Sequence, residues 1–247
     1  MAISRRAFVL GVPAAATVGL ITPASAGSRE ARVRAEAPPF QSPVAIRSRD
    51  AVAAPGLPWL HIGYPHRVEL TLRYVSRDDS CAERGEEEVV QADVPPQTAY
   101  ARLGSTRYEL LQYHFHTPSE HTLDGRRYPV EQHFVHRGPD GETLVLGLFL
   151  VPGGHHEQLP RELPTECGPQ LRITTDLSRA LPRNLSTFRY QGSLTTSPFS
   201  EPVSWLVLQQ PQAVAGAGIV GYRRLFPHGN AREVQPLNGR VITYRHQ

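Results

Sequence analysis

Short β-like runs recur along the chain after Phe40. VELTLRYV (68–75), EEVVQADV (87–94), YELLQYHFH (108–116), PVEQHFVH (129–136), TLVLGLFLV (143–151) and VSWLVLQQ (203–210) combine apolar and β-branched residues in strand-length segments. RLGSTR and RGPDGE carry turn chemistry between neighbouring runs, the second as a hairpin connection. One stretch near AGIVGYRRLF (217–226) predicts a short helix. There is no internal repeat and no low-complexity tract. The pattern predicts one mainly β domain (α+β) over residues 40–247, with a few short helices at its periphery.

The first 26 residues stand apart. A basic start at Ser4-Arg5-Arg6, an apolar middle and the small-residue site Ala24-Ser25-Ala26 make an export signal, and the paired arginines followed by Phe8 are those of a twin-arginine signal. The apolar stretch is short and interrupted by Gly and Pro, so it predicts no membrane anchor in the mature chain. GSREARVRAEAPP (27–39) is polar and Pro-ended, a flexible leader.

Charge changes the picture little. The formal charge of +3 falls to +1 without Arg5 and Arg6, and no basic stripe with interleaved aromatics points to nucleic acid. Every basic residue apart from histidine is arginine. Two cysteines in an exported chain predict one disulfide, Cys81 to Cys167, which would stabilise the fold by on the order of 4 kcal/mol in the chain-entropy model.

The candidate chemistry lies in LLQYHFHTPSEH (110–121). Strand alternation places Gln112, His114 and His116 on one face, and Leu111, Tyr113 and Phe115 on the other. In the next run Glu131, His133 and Val135 share a face by the same rule. If the two strands pair, three imidazoles converge. Three neutral imidazoles suit tetrahedral Zn²⁺, and a fourth position left to water makes such a site catalytic. A carboxylate beside a ligating histidine takes its other ring N–H and fixes the tautomer, a role open to Glu131 and, through its amide oxygen, to Gln112.

These motifs resemble those of the alpha-class carbonic anhydrases, as found in exported bacterial members. The H-x-H strand followed by SEH and E-x-H-x-V-H appears as HFHTPSEH and EQHFVH; QSPVAI (41–46), GSLTTSP (192–198) with SEPVSW (200–205), and NAREVQPLNGR (230–240) match three further family elements in order. The resemblance implies a large, twisted, mostly antiparallel central sheet of about ten strands. It implies reversible hydration of CO₂ to bicarbonate and a proton by zinc-bound hydroxide, zinc lowering the pKa of its water from about 15.7 to about 7. The implied ligands are His114, His116 and His133, with Gln112, Glu131 and the Asn230 backbone behind them. The resemblance also makes Thr195 the hydrogen-bond acceptor for the reacting hydroxide and donor to Glu120. Thr196 lines the site, and Val135, Val145, Leu194, Val203 and Trp205 form the apolar wall for CO₂. Zn²⁺ is the one cofactor and a small molecule the one partner; oligomeric state is left open.

Three departures stand beside the match. Only AEAPPF precedes QSPV, so one wall of the cavity is expected to be trimmed. The family's proton-shuttle histidine has Glu88 at its place when VVQADVPP is the anchor, with His61 and His66 as other candidates for the rim. Phe199 stands where bacterial members often carry a cysteine. The missing shuttle leaves a rival in which an exported protein of this fold keeps a zinc site for binding or structure and turns over little. A cupin reading of HFHTPSE, which would make Glu120 a metal ligand, lacks that motif's glycines at Tyr108 and Arg127.

Overall fold

A computed structural model describes residues 39–76 and 88–247, and Pro38–Gln247 forms one compact unit. The export signal, all of the leader but Pro39, and Cys81 lie outside the described residues, and with Cys81 so does the expected disulfide. The strands run in chain order as β1 (Ala45–Ile46), β2 (Val52–Ala53), β3 (Leu60–Gly63), β4 (Val68–Val75), β5 (Val89–Asp93), β6 (Tyr100–Leu103), β7 (Thr106–His116) and β8 (Thr122–Leu123). They continue as β9 (Val130–Arg137), β10 (Thr143–Pro152), β11 (Gln170–Thr175), β12 (Thr187–Gly192), β13 (Val203–Leu208), β14 (Gln212–Val214) and β15 (Thr243–Arg245). A single α-helix, α1 (Gly216–Leu225), is joined by two short 3₁₀ turns among the described residues.

Ten strands follow one another across the main sheet in the order β11-β4-β5-β7-β9-β10-β13-β12-β15-β2, with β3, β6 and β14 attached to its side. Antiparallel pairing dominates, but β10 pairs parallel with both β13 and β14, and β15 parallel with β2, so the sheet is mixed.

The middle of the sheet is covered on both faces, which is why β10 is apolar almost throughout. Its even residues, Leu144, Leu146, Leu148 and Leu150, enter the larger core beneath α1; Val145 and Phe149 face a second cluster around Trp205, Phe188 and Ile46. Helix α1 buries Gly218, Ile219, Tyr222 and Leu225, one stripe at helical spacing. Its Tyr222 hydroxyl donates to the Phe115 carbonyl at 2.5 Å and so ties the helix to the back of β7.

One irregularity sets the register of the site. Between Leu110 and Gln112 the pairing of β7 with β9 slips by a residue. Leu110 stays in the larger core with Tyr113 and Phe115, while Leu111 is 39% exposed and turns to the same side as Gln112. Strict alternation had placed Leu111 with Tyr113; the bulge overrides it, because the extra residue has no partner on β9.

Candidate metal centre and its cavity

Cross-strand registers stack the site in rungs. Arg73, Gln91, His114, His133 and Gly147 stand opposite one another on β4, β5, β7, β9 and β10. One rung outward come Asp93, Gln112, Val135, Val145 and Trp205, and beyond them Glu109, Arg137 and Thr143. His116 sits one rung inward, opposite Glu131. The outcome is a cavity of about 310 Å³ with His114 and His133 in its wall, mouth residues Arg73, Leu111 and Arg137, and one flank of Leu194, Thr195 and Thr196.

The three imidazoles are buried, with ring centroids 4.8–5.2 Å apart. Each presents one nitrogen within 4.8 Å of the other two. Hydrogen bonds behind the rings fix which nitrogen that is. Nδ1 of His114 meets the Gln112 Oε1 at 2.9 Å, and Nδ1 of His116 meets the Asn230 carbonyl at 2.9 Å, so both offer Nε2. His133 is reversed: its Nε2 donates to Glu131 Oε1 at 3.0 Å and Nδ1 is the atom it offers. Burial lowers the pKa of His133 and keeps it neutral despite the adjacent carboxylate. Three neutral nitrogen donors, each oriented from behind, fit a divalent ion of the zinc type.

His121, Glu131 and His133 form a second close group, but its facing atoms are taken up in hydrogen bonds to one another. Glu131 Oε1 accepts from His133 and from His121 Nδ1 (2.7 Å), and Oε2 accepts from the His121 backbone N–H (2.8 Å). His121 Nε2 then meets the Tyr190 hydroxyl at 2.6 Å, which lies 2.9 Å from Ser42 Oγ. This is a brace for His133. Burial pushes the Glu131 carboxyl up, yet the two histidines outweigh it and hold it well below the usual range, as an anion accepting N–H bonds.

Glu120 is fully buried, 3.3 Å from His116 Nδ1 and 3.8 Å from His133 Nδ1. Its Oε1 accepts the Arg232 backbone N–H at 2.8 Å. Burial raises its pKa to about 7, partly countered by His133, the Thr195 hydroxyl and that N–H.

Segments distant in the chain hold Thr195 in place. Ser42 and Ser193 exchange backbone N–H to Oγ bonds at 2.9 and 3.2 Å, Gln41 Nε2 donates to the Phe199 carbonyl and to Glu201, and Trp205 Nε1 donates to the Ser193 carbonyl. Arg232 locks the set: its Nη1 donates to Gln41 Oε1 and the Ser42 carbonyl, and its guanidinium lies 3.8 Å over the Phe199 ring. Three of the sequence motifs thus meet around one loop.

Solved structures and relatives give this arrangement its family. The family model described as eukaryotic-type carbonic anhydrase matches residues 31–246. The chain belongs to the alpha carbonic anhydrase family. A carbonic anhydrase of Pectobacterium carotovorum is 35% identical over 160 residues, 63% of this chain, and the chain spans only 65% of that relative's length. The alpha carbonic anhydrase of Thermovibrio ammonificans, solved with sulfanilamide, superposes with a TM-score of 0.71 at 32% identity over 83% of this chain and 86% of that one. Dioscorin, solved with ascorbate, reaches a TM-score of 0.72 at 23% identity over 84% of this chain and 86% of that one, and shares the fold alone.

The structure also places the remaining sequence candidates. Val135, Val145, Leu194, Thr195, Thr196 and Trp205 line the cavity; Val203, at the start of β13, packs behind them in the second core and does not reach it. Glu88 is not at the rim. It is 4% exposed, takes the Tyr74 hydroxyl on its Oε2, and points to the side of Val90 and Ala92, which belong to the larger core. His61 lies on β3 opposite Arg102, and His66 is bonded to Ser178; neither lines the cavity. Sequence reasoning passed over Arg232, Arg73, Gln91, Arg137 and Thr143. The last two were accessible to it, because they continue the alternating faces of His133 and Val145.

Proposed function

We propose that the protein catalyses the reversible hydration of CO₂ to bicarbonate and a proton, with Zn²⁺ held by His114 and His116 through Nε2 and His133 through Nδ1. The observation that carries this is the convergence of the three oriented imidazoles, two of them lining a cavity that also has an apolar wall and Thr195, whose side chain is hydrogen-bonded to the buried Glu120. Zinc supplies an acidified water, and hence hydroxide near neutral pH. Val135, Val145, Leu194 and Trp205 offer an uncharged surface to CO₂, which has no dipole to solvate. Glu120, fixed by Arg232, takes the hydroxyl proton of Thr195. The Thr195 oxygen then has only acceptor capacity left; it would accept the O–H of the reacting hydroxide and leave that oxygen's lone pair facing the apolar wall.

Gln112, Glu131 and the Asn230 carbonyl act by fixing the ligand tautomers. Residues 1–26 act as an export signal of the twin-arginine type, and Cys81 pairs with Cys167; both readings rest on the sequence. No helix among the described residues is long and apolar enough to cross a membrane.

Stopped-flow CO₂ hydration on protein of measured zinc content, with a metal-stripped sample as blank, tests the proposal. Hydration that disappears on stripping and returns with zinc is the expected result. Zinc-loaded protein that does not exceed the blank refutes it and favours a binding role for the same fold.

A further inference from the structure

Among the described residues lining the cavity there are two arginines and no carboxylate. They are not equivalent. Arg73 is committed: its Nε and Nη2 reach both carboxylate oxygens of Asp93, at 2.6 and 3.3 Å. Arg137 ends the column His133–Val135–Arg137 at the mouth of the cavity, exposed to solvent. Glu109 faces it across the β7–β9 pairing, but that carboxylate receives Arg107 Nε at 2.6 Å. Arg137 makes no ion pair with a carboxylate among the described residues.

The described wall also lacks a proton carrier. Apart from His114 and His133, no described residue lining the cavity carries an imidazole or a carboxyl group, and Glu88, His61 and His66 all lie elsewhere. Hydration of CO₂ by water gives bicarbonate and one proton per turnover, and that proton has to leave the cavity.

We propose that Arg137, at the exposed end of the His133–Val135–Arg137 column, forms a docking site for a small, weakly basic oxyanion that carries the proton away. Hydrogenphosphate represents the class: it enters as HPO₄²⁻, takes the proton delivered from the cavity water, and leaves as H₂PO₄⁻, bound less tightly for the lost charge. A planar guanidinium with free N–H donors matches two oxyanion oxygens at once; of the nearby acids, Asp93 is held on both oxygens by Arg73, and Glu109 is held by Arg107 on Oε1, its Oε2 being buried without a hydrogen-bond partner. The proton-carrying role rests on the hydration activity proposed above; the binding site does not.

Two measurements separate them. Inorganic phosphate is titrated into metal-free protein and followed by ³¹P line broadening, for wild type, Arg137→Gln and the control Arg102→Gln, whose side chain lies away from the cavity. Broadening that saturates in wild type and the control, and weakens on the order of fivefold in Arg137→Gln, is expected for an exposed charge-assisted contact. Hydration by the zinc-loaded proteins is then measured against phosphate and against an uncharged imidazole buffer. The ratio of half-saturating phosphate to half-saturating imidazole should rise about fivefold in Arg137→Gln. Equal broadening in all three proteins, or an unchanged buffer ratio, overturns the proposal. Phosphate binding that depends on Arg137 in zinc-loaded protein without hydration would keep the anion site and remove the activity.

Discussion

Acidification provides a stability test that is independent of the metal. His136 is fully buried beside Tyr64, the two rings stacked with centroids 6.2 Å apart. Nδ1 faces the Leu144 carbonyl at 3.3 Å, and a carbonyl only accepts, so Nδ1 carries the hydrogen; Nε2 then accepts the Tyr64 hydroxyl at 2.8 Å. The ring is thereby fixed as the neutral tautomer, and burial lowers its pKa to about 4 from the usual value of 6.5. Between those values the unfolded chain binds a proton that the folded chain refuses. The contribution is therefore fully present above pH 6.5 and is lost as pH falls toward 4. Going from about pH 7.5 to about pH 4.5, linkage gives a loss of about 2.5 kcal/mol from this one group. Urea unfolding of metal-free wild type and His136→Gln at both pH values measures it. Other histidines contribute to both proteins and largely cancel, so wild type should lose about 2.5 kcal/mol more than the variant over that window. Equal losses would show that His136 is protonated at little cost in the fold, and the argument from burial would fail.

Three further changes address the metal site. Glu131→Gln should weaken zinc binding by about 10- to 100-fold in a chelator competition, because the amide cannot accept from both His133 and His121; wild-type affinity would refute the brace. Gly147→Ala places a Cβ 3.0 Å from Glu131 Oε1 and 3.7 Å from Trp205, and should lower stability by about 1–3 kcal/mol in urea unfolding while weakening zinc affinity; an unperturbed protein would mean the gap above His133 is not needed. Thr195→Ala should retain zinc and lower kcat/KM for hydration by about 100-fold, and a drop smaller than tenfold would deny the hydroxyl its orienting role.

The strands with the strongest patterns were legible from residues alone. VELTLRYV is β4 over Val68–Val75 without adjustment, and the runs at 129–136 and 143–151 match β9 and β10 to within a residue at each end. The edge of the sheet was not. β11, QLRITT, has no residue counted as fully buried, and β2 and β15 are two and three residues long, so their periodicity carries little signal. The convergence of His114, His116 and His133 followed from alternation once β7 and β9 were assumed to pair. Leu111 did not follow, because a bulge is set by partner strands and turn geometry that the local pattern does not contain. The placement of Glu88 failed for the same reason: its face depends on where β5 begins, and a two-residue period inverts with each single-residue shift.

The bulge and the distant clamps together explain how a metal site fits on a sheet whose middle is apolar on both sides. Strands alone would give His114 and His133 a register and nothing more; rigidity at the third imidazole, His116, comes from outside the sheet. Asn230 holds it with its carbonyl, while its side-chain Oδ1 takes the Thr117 N–H at 2.7 Å and its Nδ2 reaches the carbonyls of Glu88 and Phe115. Gly229 makes that approach possible. Its φ of +83° and the 2.7 Å between a built Cβ and the Thr117 carbonyl leave no room for a side chain. Asn230, Arg232 and Gln41 are therefore not spectators of the fold. They fix the end of β7, the Glu120 carboxyl and the Thr195 loop in one frame, and the orienting role proposed for the Thr195 hydroxyl requires that frame to hold its place to within a fraction of an ångström.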